Sequence, residues 1–188
     1  MERLADRVVV ITGAASGIGR ALASRFAAER SLLVLSDIEP APLALAAEQL
    51  RADGARVVTR VADVSDATSV QDLANAALSE FGAVHVLCSN AGVSWRSRIE
   101  ETSLNDWQWV LGVNVWGFIN CISSFLPILT VQEEAHVLLT SSITGLAPGP
   151  FSSVYGASKA AVNAIAEVLH KEMQLAGHPV GVTVACPA

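Results

Sequence analysis

The chain has 188 residues, a size suited to one domain with a single well-buried core. Of these, 52% are hydrophobic and 16% charged, which excludes a disordered or solvating chain. The formal net charge is -6 with no basic run, so nucleic acid and anionic membrane surfaces are poor partners. Mean hydropathy is +0.45, yet no apolar run is expected to reach the roughly 20 residues of a membrane span; the richest, 110–129, is interrupted by Asn114, Asn120, two serines and Pro127.

The amino terminus leads directly into a strand-like run, with no charged-then-apolar leader pattern, which predicts a cytoplasmic protein. Short β-branched or apolar runs then recur at 7–12, 32–36, 56–61, 84–89, 136–141 and 180–186. Between them, segments 17–29, 40–53, 66–81, 103–127 and 153–176 carry helical spacing. This alternation predicts βαβ units, hence one α/β domain over 1–188 built on a doubly wound, six-stranded parallel sheet of Rossmann-like type. Asp66 and Ser103 suit helix N-caps, and Gly54 and Gly177 suit left-handed positions after helix ends. Cys88, Cys121 and Cys186 lie far apart and read as buried thiols of a reducing compartment. The four histidines do not cluster, so no metal site is expected.

After the first strand comes Thr12-Gly13-Ala14-Ala15-Ser16-Gly17-Ile18-Gly19 and then a helix. Glycines there permit a tight turn and close approach to a pyrophosphate, and the helix start supplies free N–H groups. Asp37 ends the second strand, 18 positions beyond Gly19, near the spacing at which a carboxylate meets the adenosine ribose. Such a carboxylate favours NAD over NADP because it repels a 2′-phosphate. The plainer alternative for Asp37 is a solvated loop acid or helix cap.

Tyr155, the one tyrosine of the chain, stands four residues before Lys159, so both project from one helix face. A free tyrosine titrates near about 10, and a neighbouring ammonium favours the tyrosinate needed for acid–base work on an alcohol or carbonyl. Ser142, at the end of the fifth strand, can donate to the substrate oxygen. Taken singly, such a Tyr–Lys pair is an ordinary surface contact and such a serine an ordinary turn residue.

The spacing Thr-Gly-x-x-x-Gly-x-Gly resembles that of the short-chain dehydrogenase/reductase family, and other motifs agree in order along the chain. Asp63-Val64 looks like the family's adenine-contacting pair. Ser89-Asn90-Ala91-Gly92 is similar to its Asn-Asn-Ala-Gly signature, with serine in first place. Asn114 looks like its active-site asparagine, and Ser142, Tyr155 and Lys159 like its catalytic Ser and Tyr-x-x-x-Lys. The resemblance implies an NAD-dependent alcohol dehydrogenase or ketoreductase in which Lys159 also holds the nicotinamide ribose and Asn114 anchors a water chain toward Lys159. It extends the cofactor contacts to Ser16, Ile18, Ile38, Ala91, Gly92 and Pro187. Substrate contacts are expected from the loops after strands four and five, with Trp95, Leu146 and Phe151 forming an apolar pocket and Arg96 meeting either an acidic substrate group or solvent. It further implies a homodimer or homotetramer paired through segments 103–127 and 153–176, whose apolar residues include Trp109, Val113, Trp116, Phe118 and Phe125. Family members continue past the Cys186-Pro187-Ala188 end with a substrate-covering segment, a helix and a seventh strand. A shortened chain would leave the sixth strand as an edge and admits a second reading, a cofactor-binding sensor or oligomerisation partner without turnover.

Overall fold

Val8 to Thr12, five buried residues in succession, form the strand β1 near the centre of the sheet. The computed structural model describes residues 3–188; residues 1 and 2, the start of the amino-terminal run read above, lie outside them. Five further strands join β1: β2 (Leu32–Asp37), β3 (Arg56–Val61), β4 (Val86–Ser89), β5 (Ala135–Thr140) and β6 (Val180–Ala185). All pairings are parallel, in the order β3-β2-β1-β4-β5-β6. Both faces of such a sheet must be covered, which accounts for the unbroken apolar runs.

The two faces follow from the alternation of side chains along each strand. Val8 and Val10 of β1 point to the side where α3 (Ala67–Phe81), α5 (Gly117–Leu129) and α6 (Ser153–Ala176) pack, with Leu87, Val137 and Leu139 beside them. Val9 and Ile11 point to the opposite side, against α1 (Gly17–Ala28) and α2 (Pro40–Ala52). The chain winds outward from β1 through β2 to β3, then returns to place β4 on the other side of β1. Strand order reverses between β1 and β4, where the carboxyl ends open a crevice.

Local chemistry explains most element ends. Asp66 accepts from Thr68 N–H at 3.0 Å, and Ser103 with Asp106 forms a complete capping box at the start of α4 (Leu104–Leu111). Gly54 and Gly177 adopt φ of +87° and +68° as expected. β4 begins at Val86 rather than 84, because His85 is used as a tie into β1: its Nδ1 accepts from Val8 N–H at 3.0 Å. Cys88 and Cys121 are buried and burial pushes both thiols up to about 12, whereas Cys186 is only half-buried.

The expected single helix over 103–127 is instead α4, a π turn (Gly112–Trp116) and α5. In the π turn Gly117 N–H donates to Gly112 O, five residues back. The whole run, Leu104–Leu129, has 26 residues, and an 18-residue stretch within it reaches a mean hydropathy of 1.5, so by length and composition it could span a bilayer, contrary to the reading above. In the fold it is a core element: Phe118, Cys121, Phe125 and Leu129 pack on the sheet. Trp116 is 59% exposed, and Trp109, 46% exposed, borders the crevice.

Phe125 is wholly buried beneath the sheet. Phe125→Ala is expected to destabilise the fold by about 3–5 kcal/mol through lost burial and a cavity, read as a shifted urea midpoint with unchanged slope; a shift under about 1 kcal/mol would contradict the packing.

Candidate active site

The crevice is held together by one side chain. Asn90, just past β4, donates through Nδ2 to Thr12 O at 3.1 Å and Gly13 O at 3.2 Å. Its Oδ1 accepts from Thr140 Oγ1 at 2.9 Å. Thr12 Oγ1 in turn accepts from the backbone N–H groups of Asn90 and Ala91, each at 3.1 Å. The carboxyl ends of β1, β4 and β5 are thus tied into one rim.

On that rim lies a cavity of about 670 Å³. Gly13, Ser16, Gly17, Ile18, Asp37 and Ile38 bound one end, Asp63 and Val64 the side, and Asn90, Ala91, Gly92, Tyr155, Lys159 and Pro187 the other end. Fourteen of the residues singled out from the sequence therefore meet in one place. A dinucleotide fits the donors present. α1 begins at Gly17 without a side-chain cap on Ser16, so its first N–H groups are free for phosphate. Gly13 has φ +65°, and a Cβ there would stand 2.8 Å from Ala91 Cα, so the turn admits only glycine. Gly19 does not line the cavity; any Cβ on it would run into Gly13 O and Asn90 Nδ2, making it the residue of close helix–strand packing.

Asp37 is pinned: Oδ2 accepts from Ala15 N–H at 3.0 Å and Oδ1 from Glu39 N–H at 3.2 Å. It therefore holds the glycine loop as well as facing the crevice. Asp63 Oδ1 accepts from both the N–H and Oγ of Ser65. Val64 is fixed by Asn120, whose Nδ2 donates to Val64 O at 2.9 Å, and by Gly117, where a Cβ would come within 2.8 Å of Val64 Cγ2. The sequence reading treated Asn120 only as an interruption of an apolar run. Its burial in that run was the available signal, since a buried amide requires partners.

At the far end, Tyr155 and Lys159 share the inner face of the first turns of α6, with Lys159 Nζ 5.8 Å from the Tyr155 ring centroid. Lys159 is 5% exposed, its Nζ donates to Thr140 O at 2.8 Å, and burial lowers its pKa from 10.5 to about 8. Asn114 sits in the π turn and is buried. Its Oδ1 accepts from Val93 N–H at 2.8 Å, and Nδ2 donates to Val93 O and Ser158 Oγ, both at 2.9 Å. Both amide hydrogens are committed, so Asn114 clamps the loop after β4 onto α6 rather than lining the cavity. Gly92 keeps the space between them clear: a Cβ there would stand 3.2 Å from Asn114 Oδ1 and 3.4 Å from Lys159 Nζ.

Ser142 is buried just behind the cavity wall, where Ser141 is the lining residue. Its Oγ accepts from Thr144 N–H at 3.1 Å, which leaves its own O–H free to donate. Of the expected substrate contacts, Trp95, Leu146, Phe151 and Arg96 do not line this cavity, and Leu146 and Phe151 are 64% and 58% exposed. The physical reason is the parallel bridge Ser97–Ser152, which joins the two loops beyond the cavity and turns Phe151 outward at φ +65°. Trp95 stacks edge-on with Trp109, which does line it.

Folded Lys159 gives up its proton near pH 8, whereas the unfolded side chain does so near 10.5. Between these values the unfolded chain binds more protons, so this residue makes stability rise with pH across that window. Urea midpoints of wild type minus Lys159→Met should show that rise; a flat difference would contradict the desolvation.

The match to known proteins agrees with this geometry. The family model for short chain dehydrogenases matches residues 7–188. SadH of Mycobacterium tuberculosis is 37% identical over 187 residues, covering 100% of this chain and 68% of that protein. A 1-deoxy-11-beta-hydroxypentalenate dehydrogenase of Streptomyces avermitilis is 37% identical, covering 98% of this chain and 68% of its own length. A short-chain dehydrogenase/reductase from Burkholderia phymatum, solved in complex with NAD, superposes with a TM-score of 0.98 at 44% identity, over 100% of this chain and 67% of that one. With the glycine turn, the Asn90 rim and the Tyr155–Lys159 pair on one crevice, this chain belongs to the short-chain dehydrogenase/reductase family of oxidoreductases.

Proposed function

We propose that the protein uses NAD(H) in preference to NADP(H) to interconvert a small alcohol and its carbonyl. Tyr155 is the general acid and base, assisted by Lys159, Ser142 and Asn114. The observation that carries this reading is the continuity of one cavity, bounded by Asp37 and the glycine turn at one end and by Tyr155 and Lys159 at the other. NAD(H), when bound, supplies the hydride acceptor or donor.

The residues divide the remaining work. Lys159, desolvated and anchored on Thr140 O, presents a cation 5.8 Å from the Tyr155 ring centroid, at the place where a substrate hydroxyl must lose its proton. Ser142, its oxygen held by Thr144 N–H and its O–H free, is the proposed donor to the substrate oxygen, a role that requires the substrate to reach past the lining residue Ser141. Asn114 acts by position: it fixes Val93 and Ser158 against each other, and its remaining Oδ1 lone pair is the point at which a water relay to Lys159 would attach. Asp37 accepts from the adenosine ribose and repels a 2′-phosphate; among the described residues no Arg lines the cavity to offset that repulsion. The outward Trp116 and the apolar residues of α5 and α6 support pairing of these helices between copies as a homodimer or homotetramer, in the cytoplasm.

Tyr155→Phe is expected to lower kcat by about 10²-fold or more while leaving NADH affinity unchanged; NADH formation at the wild-type rate would defeat the assignment. Asp37→Asn keeps an acceptor for Ala15 N–H but removes the charge, and should shift the NADH:NADPH affinity ratio toward NADPH by about tenfold. Tighter NADPH binding by the unaltered protein would overturn the cofactor preference.

A further inference from the structure

The substrate end of the cavity has a wall that neither its position in the chain nor any motif pointed to. Trp109 lines the cavity together with Val113, Val93 and Tyr155. Trp109 and Val113 are four apart on the run of α4 into the π turn, so both present the same face to the crevice. α4 is rigidly placed: the capping box at Ser103 and Asp106 fixes its start, and Val110, the residue after Trp109, is wholly buried. Trp95, from the loop after β4, braces Trp109 edge-to-face with centroids 6.2 Å apart and planes at 84°. The loop that carries Trp95 is itself clamped by Asn114 at Val93. The two indoles are 38% and 46% exposed, which leaves flat apolar surface beside Tyr155 for a ligand to cover.

Charge narrows the ligand further. Asp37 and Asp63 lie toward the adenosine end, and Lys159 is the one cation among the described lining residues. Lys159 spends one of its three N–H donors on Thr140 O and stands beside Tyr155 at the reacting oxygen. Arg96 is exposed and off the wall, and Arg98 pairs with Glu100 at 2.6 Å. A carboxylate or phosphate held against the indole wall, away from Lys159, would be desolvated without a counter-charge among the described lining residues.

Resting on the oxidoreductase reading above, we propose that Trp109, braced by Trp95, is the specificity-determining residue of this site and selects neutral alcohols and ketones that carry a flat ring beside the reacting carbon. The ring stacks or packs edge-on against Trp109 while the oxygen meets Tyr155. Aliphatic substrates of similar polarity leave the indole face uncovered, and acidic ones meet no cation on that wall.

The test compares acetophenone, cyclohexyl methyl ketone, butanone and phenylglyoxylate as substrates for the NADH-loaded protein, in wild type, Trp109→Ala and Trp109→Phe. Wild type should prefer acetophenone in kcat/KM by about tenfold over both the saturated-ring ketone and the acid. In Trp109→Ala, acetophenone should lose about tenfold more than butanone, chiefly in KM, and Trp109→Phe should restore most of it. A cooperative melt separates this from misfolding. Equal losses for all four probes, a loss confined to kcat, or phenylglyoxylate as the best substrate would overturn the proposal. Saturation-transfer NMR of acetophenone on the NADH complex separates it from the parent reading. Acetophenone binding that is lost in Trp109→Ala without any Tyr155-dependent turnover keeps the wall and removes the oxidoreductase. Butanone turnover with no acetophenone binding keeps the oxidoreductase and removes the wall, and absence of both binding and turnover removes both.

Discussion

Everything at the carboxyl edge of the sheet depends on the Asn90 side chain. It satisfies the carbonyls of Thr12 and Gly13 and accepts from Thr140, so three strands end at fixed heights relative to one another. The turn after β1 can then carry glycine φ values that expose backbone N–H groups, because the strand feeding it is held from below. Thr12 closes the loop by accepting from Asn90 and Ala91. Each of these groups is a polar atom that would be costly to bury alone. Cofactor cradle and catalytic end are therefore parts of one hydrogen-bonded rim.

A second constraint enters from the helix that crosses the crevice. The π turn at Gly112–Trp116 admits one extra residue, and Asn114 is that turn's buried polar group. Its amide spans from the loop after β4 to Ser158 on α6, one residue before Lys159. The same turn sets the azimuth of α4, hence of Trp109, relative to α5, whose Phe118 and Phe125 must face the sheet. A regular helix would not present both sets to the correct neighbours at once. Burial of Lys159 follows from this convergence: Thr140 and Gly92 stand close to its ammonium, little of the side chain reaches solvent, and its proton is held less tightly than in water.

Much of this was legible along the chain. The strand runs, the glycine turn, Asp37, Asn90, Tyr155 and Lys159 announce themselves through local pattern: β-branched runs of strand length, glycines between a strand and a helix, and a four-residue spacing on one helix face. Such signals survive because they depend on neighbours within a turn or two, and six of them in order imply one family even where each alone is ordinary. The caps at Asp66 and Ser103 belong to the same class.

What only the tertiary structure decided involves partners far apart in sequence or a departure from regular geometry. Asn120 holding Val64 across 56 positions, Asn114 spending its amide hydrogens on Val93 and Ser158, and Ser142 standing behind Ser141 are invisible to periodicity. The break of 103–127 into two helices by a π turn is not legible from periodicity either, because the run is apolar on most of its circumference and the roughly 100° phase shift that one added residue makes is masked. That added residue nonetheless orients Trp109 toward the crevice. Leu146 and Phe151 were expected in the pocket from their loop; in the fold both are exposed, and Phe151 lies beside the Ser97–Ser152 bridge. The sequence by itself determined the sheet, the cofactor turn and the reactive pair, because those are local chemistry; the folded chain decided the wall that faces the substrate, because that wall is made by elements meeting across the crevice.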